Sequence, residues 1–191
     1  MGSKEPSKTD RRVQRTRRTL RESLIALILE RGWDRISVQD ICDRADVGRS
    51  TFYLHFADKE ELLVGGFADL RRMLRADRAA VAGPAPQPFR FVLGMLEHAR
   101  ENHRLFLALV GKRSGQLVLQ RFRELVLDLI REDLARLPGK GQAQDMRVHF
   151  VGGAFLELLT WWLEARNPLE PAELERIFLQ MALPALRTVQ S

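Results

Sequence analysis

Arg49, Ser50, Thr51, Tyr53, His55 and Lys59 stand close together in the chain, and all carry hydrogen-bonding or cationic side chains. Such a set suits recognition of nucleic acid better than bond breaking. The fork of Arg49 matches the O6 and N7 acceptors of guanine, while Ser50 and Thr51 can touch base edges or thymine methyl groups. Tyr53, His55 and Lys59 suit phosphate oxygens. Ser37, Val38, Gln39 and Gly48 flank them at presumed helix starts, where amides and side chains can assist.

Other chemistries find less support. The four histidines are His55, His98, His103 and His149, and the pair at 98 and 103 lacks the i, i+4 spacing that sets two zinc ligands on one helical face. Gly111-Lys112-Arg113-Ser114-Gly115 lacks the Walker spacing and follows no strand pattern, so it reads as a surface turn. No nucleophile elbow or other catalytic signature occurs. We expect neither an enzyme nor a cofactor or metal.

The candidate residues need two short helices and a turn to hold them. Ser37 with Asp40, and Asp58 with Glu61, each place an acceptor at a helix N-cap and a carboxylate three residues on. Ile36 against Ile41, and Ala57 against Leu62, would clip the two starts from outside. Asp46 and Gly48 supply a turn, since both tolerate left-handed backbone. Ile41, Ala45, Val47, Phe52 and Phe56 then form a small core, and the polar set faces outward.

The stretch from Ala45 to Leu62 resembles the DNA-binding signature of the tetracycline-repressor (TetR) family of bacterial regulators, through Thr51, Tyr53, Phe56, Lys59 and Leu62 in Thr-x-Tyr-x-x-Phe-x-x-Lys-x-x-Leu spacing. Asp46, Gly48 and Ala57 depart from the residues usual there. The resemblance implies a helix-turn-helix head, a helical body that senses a small and often apolar ligand, and a dimer built from the last two helices.

The rest of the chain fits that outline. Among 191 residues the formal charge of +6 resides in residues 1–21, where eight Lys/Arg face only Glu5 and Asp10. A basic arm beside a helix-turn-helix is a footprint for phosphate contact, through Arg15, Arg17 and Arg18. The single cysteine, Cys42, excludes an internal disulfide, and no secretory leader or bilayer-length apolar run is evident, so a cytoplasmic location is expected. Apolar periodicity predicts helices near 11–31, 38–45, 49–55, 59–81, 88–100, 103–111, 115–137, 143–166 and 171–188, with a proline-rich loop at Gly83–Pro88 and Pro184 kinking or ending the last helix. The fold class is therefore all-α, with a disordered arm (1–10), a three-helix DNA-binding domain (11–57) and a helical-bundle body for ligand sensing and dimerisation (58–191).

Within the body, Phe67, Met73, Phe91, Met95, Phe106, Phe122, Phe150 and Trp162 are candidates to line an apolar pocket, with His98 or His149 as a polar anchor. The helix at 143–166 is apolar on nearly every face and calls for cover from a second subunit. Val151, Gly152, Phe155, Leu159 and Trp161, with Leu174, Ile177, Phe178 and Met181 of the last helix, are the candidate dimer interface. The expected partners are double-stranded DNA with a palindromic operator, a second copy of the chain and an unidentified small-molecule effector, with no membrane. The function expected is a transcriptional regulator, a repressor released by its ligand. The competing reading is a non-switching DNA-binding or protein-interaction module.

Overall fold

Caps and apolar spacing decide where this chain changes direction. The computed structural model describes residues 8–80, 88–110, 115–135, 141–166 and 168–187. Its elements are α1 (Lys8–Arg31), a 3₁₀ turn (Trp33–Arg35), α2 (Val38–Ala45), α3 (Arg49–Tyr53), α4 (Lys59–Ala80), α5 (Phe91–Glu101), α6 (His103–Val110), α7 (Gly115–Leu134), α8 (Gln142–Glu164) and α9 (Pro171–Arg187). No strand occurs among the described residues, so the fold is all-α as expected. Residues 1–7, 81–87 with most of the proline-rich loop, 111–114 with the surface turn, 136–140, 167 and 188–191 lie outside the described residues. The chain divides into two units, Met1–Gly66 and Phe67–Ser191.

In the first unit, α1 buries Leu20, Leu24, Leu27 and Ile28 along one face. It stops at Gly32, whose φ of 76° is open to glycine at little cost. The reciprocal cap at α2 forms, with the Asp40 amide donating to Ser37 Oγ at 3.1 Å and the Ser37 amide donating to Asp40 Oδ2 at 2.8 Å. These bonds to Ser37, helped by Arg31, hold the Asp40 carboxyl below its ordinary range. Arg31 pairs with Asp40 at 3.0 Å and Arg44 with Glu30 at 2.6 Å, fastening α2 to the end of α1. Asp58 accepts the Glu61 amide at 2.8 Å, and Glu61 reaches back to the Ala57 amide at 2.6 Å.

Ile36 and Ile41 are both buried, as a clip requires, whereas Ala57 is exposed and gives Leu62 no such cover. The turn also differs from expectation in one respect. Asp46 is left-handed (φ 52°, ψ 48°), but Gly48 is extended (φ −64°, ψ 145°), a conformation open to any residue. Cys42 is buried on α2, and that burial pushes its thiol pKa up.

The second unit is organised by two aromatic series. Phe67, Phe122, Phe106 and His98 follow one another with ring centroids 6.1, 5.7 and 5.7 Å apart. Phe91, Phe155, Phe178 and Phe89 do the same at 5.8, 5.5 and 6.3 Å, tying α5, α8 and α9 together. Phe89 holds a left-handed φ of 64° with its side chain buried, and the buried Asp133 carboxylate of α7 accepts its amide at 2.8 Å. A bulky residue in that region costs about 1–3 kcal/mol, so packing and this hydrogen bond must over-determine it. Arg71 and Arg75 of α4 both pair with Glu132 of α7, and Arg71 also meets Asp128 at 3.3 Å.

Helix α8 packs against α5, α6, α7 and α9. Its last turn is closed by His103 Nε2 donating to the Leu163 carbonyl and by Trp162 Nε1 donating to the Leu169 carbonyl, both at 2.9 Å. At Gly152 the helix lies tight against α7 of the same chain, where a Cβ would run into Leu127 and lie 3.4 Å from Ile130 Cδ1. Helix α9 continues through Pro184 to Arg187, so the proline does not end it.

Gly152→Ala is expected to destabilise the second unit by about 1–3 kcal/mol through overpacking. The gain of about 1 kcal/mol in helix propensity offsets only part of that. Chemical denaturation of the variant against wild type checks this.

Candidate nucleic-acid interface

Helix α3 is too short to persist alone, since isolated helices under about 12–15 residues are marginal in water. Its place is fixed by Phe52 and Phe56, both buried with rings 5.9 Å apart, and by the edge of Phe52 against Tyr53 at 5.4 Å. The opposite side presents Arg49, Ser50, Tyr53 and Leu54 to solvent. Arg49 and Tyr53 form one row of this face, with Arg49 Nη2 donating to the Tyr53 hydroxyl at 3.3 Å and the guanidinium 5.8 Å from the ring centroid. Ser50 and Leu54 form the second row, one helical turn apart, and the Leu54 amide bonds the Ser50 carbonyl at 3.1 Å. Thr51 and His55 are half-buried at the margins, and Gly48 is exposed at the start of the helix.

The flanking candidates divide into free and engaged groups. Arg15 is exposed, Arg17 lies half-buried with its guanidinium 5.0 Å from the Phe56 ring centroid, and Arg18 pairs with Glu22 at 2.8 Å. Val38 is half-buried and Gln39 exposed, although the Gln39 side-chain amide donates to Asp43 at 2.6 Å. The Ser37 hydroxyl and amide both bond Asp40, which starts α2.

Lys59 differs most from expectation. Its ammonium turns inward and donates to the carbonyls of Trp33 at 3.0 Å and Ile36 at 2.7 Å, lying 4.4 Å from the Trp33 ring centroid. Burial pulls its pKa down, opposed by the charges of Asp34 and Asp40. The side chain therefore fastens the 3₁₀ turn to the start of α4. Leu54 was not singled out by the sequence, because an apolar residue between Phe52 and Phe56 reads as core. Only its i+4 relation to Ser50 hints that it faces outward.

The candidate ligand residues separate in a similar way. Phe67, Phe91, Met95, Phe106, Phe122 and Trp162 are buried, and His98 is half-buried with its pKa pushed down by burial against an opposing pull from Glu101. Met73 and Phe150 are exposed. Of the candidate dimer residues, Val151, Gly152, Phe155, Leu159, Leu174 and Phe178 are buried inside their own protomer. Ile177 is half-buried, and Trp161 and Met181 are exposed. No group of side chains able to hold a metal ion occurs among the described residues. None of the described helices is long and apolar enough to cross a membrane.

Lys59→Ala is expected to lower the stability of the first unit by about 1–3 kcal/mol, the scale of lost charged hydrogen bonds, while the salt dependence of DNA binding keeps its slope. Arg49→Ala is expected to leave stability unchanged and to weaken preference at one base pair by about 1–3 kcal/mol. Thermal melts and salt titrations of binding separate the two.

Residues 21–64 match the family model described as bacterial regulatory proteins, tetR family, and residues 87–183 match a transcriptional regulator C-terminal region. The transcriptional repressor KstR of Mycolicibacterium smegmatis is 31% identical over 81% of this chain and 80% of its own length. The transcriptional regulator TcmR of Streptomyces glaucescens is 28% identical over 95% of this chain and 87% of its own. A crystal structure of a TetR transcriptional regulator from Streptococcus agalactiae superposes with a TM-score of 0.68 at 28% identity, covering 91% of this chain and 97% of that one. The chain belongs to the TetR family and is a DNA-binding transcriptional regulator, not an enzyme.

Proposed function

We propose that this regulator is a homodimeric repressor that binds an approximately palindromic operator and is released by a small, apolar ligand taken up in the second unit. The observation that carries the dimer is an apolar stripe left uncovered on α8 and α9. Met146, Phe150 and Trp161 are 69%, 62% and 48% exposed along one side of α8, and Met181 of α9 is 59% exposed. Phe150, Ala154, Leu158, Trp161 and Met181 line an open groove of about 530 Å³ on that side.

Large apolar side chains at helical spacing on an otherwise packed helix favour a self-complementary partner, since each such group gains about 1.5–3 kcal/mol on full burial. Two copies of the α3 face related by a two-fold axis would then read two half-sites of inverted sequence. This groove shares Val151, Trp161, Phe178 and Met181 with the interface expected from sequence and adds Phe150, Ala154 and Leu158, while Gly152, Phe155, Leu159 and Leu174 are buried in the chain's own core.

The apolar interior around Phe67, Phe122 and Phe106, with His98 at its edge, is where an apolar effector would be taken up. The relative KstR is named a repressor, which supports the direction of control. Such a ligand releases DNA only if it binds the non-DNA-binding state more tightly than the other.

Trp161→Asp is the decisive variant. Sedimentation is expected to fall from twice the chain mass of 22.0 kDa to once that mass, with operator binding lost and the helical circular-dichroism signal retained. A wild-type chain that sediments as a monomer and still binds its operator would refute the dimeric reading.

A further inference from the structure

Leu54 is the most exposed large hydrophobic residue described in the chain, at 81%. It closes α3, beside the half-exposed Tyr53 and one turn below Ser50. The two rows of the α3 face differ in chemistry. In the first, Arg49 is tied to the Tyr53 hydroxyl, which makes that row polar and cationic. In the second, Ser50 is small and exposed, leaving the isobutyl group of Leu54 unobstructed at its end. Nothing in the first unit's core uses this side chain, since Phe52 and Phe56 fill the inward positions on either side of it.

We propose that Leu54 is a specificity-determining residue, an apolar reader that selects thymine through its C5-methyl group in the major groove of the bound DNA. The inference rests on the DNA-binding role of α3. In that groove the thymine methyl is the only apolar mark the four base pairs offer, and an aliphatic side chain recognises it by contact. A solvent-facing leucine continuous with Arg49 and Ser50 matches that mark. Its apolar tip cannot pair with a phosphate oxygen or with the polar edges of guanine and cytosine. The two rows therefore divide the work, with Arg49 offering hydrogen bonds and Leu54 offering an apolar surface.

The test uses the full chain and a duplex selected for binding from a random pool. Each thymine of that duplex is replaced in turn by uracil, which removes the methyl and leaves the hydrogen-bonding edge intact. Wild type is expected to lose about fourfold in affinity at one thymine per half-site, the scale of one buried methyl or methylene group. Leu54→Ala is expected to bind thymine and uracil duplexes equally, with an unchanged melting temperature, and Leu54→Met to restore the difference. The proposal is overturned if no uracil substitution weakens wild type, or if Leu54→Ala keeps the thymine preference. Failure of wild type to bind any duplex would overturn the DNA-binding role of α3 along with it, whereas binding without uracil sensitivity overturns the Leu54 assignment alone.

Discussion

The ammonium of Lys59 is the tie on which the first unit depends. It gathers the carbonyls of Trp33 and Ile36 and the face of the Trp33 ring. In doing so it joins a turn that precedes α2 to the helix that follows α3. Everything between those points, including the five residues of α3, is held from both ends by that bond and from beneath by Phe52 and Phe56. A helix of one and a half turns has little stability of its own, so its aim is borrowed from its surroundings. A cation that would be an obvious phosphate ligand on a flexible surface becomes, once turned inward, one of the contacts that hold the recognition surface in place.

The reciprocal bonds of Ser37 and Asp40 act at the same level. They satisfy orphan amides at the start of α2 while drawing Arg31 from the end of α1. Asp46 then turns the chain through a left-handed residue without a glycine. Gly48, expected to share that turn, is conformationally ordinary. Short polar side chains set the path, and the apolar core fills in behind them.

Much of this was legible in the sequence because it is local. Caps and the periodicity of nine helices depend on neighbours within a few residues, and the observed helices start and end close to where those signals fall. What was not legible depends on distance. Lys59 meets carbonyls 26 and 23 residues earlier in the chain, so no spacing rule gives its direction. Leu54 lies between two core phenylalanines and reads as core until a backbone fixes its angle. On α8 almost every position is apolar, so which stripe stays uncovered is decided by α5, α6, α7 and α9 together. Gly152, a candidate for the dimer interface, packs against Leu127 and Ile130 of α7 in its own chain, neighbours that no spacing rule names.

Cys42 adds a property of a different kind. It is the chain's only cysteine, it is buried in α2, and its thiol is pushed toward the protonated form by that burial. A protonated, inaccessible thiol is a poor nucleophile, whereas one released into water reacts at an ordinary rate. The protein thus carries a single chemical clock whose labelling rate follows the opening of the first unit and no event confined to the second. Transient exposure of the recognition elements can be timed in the unmodified chain.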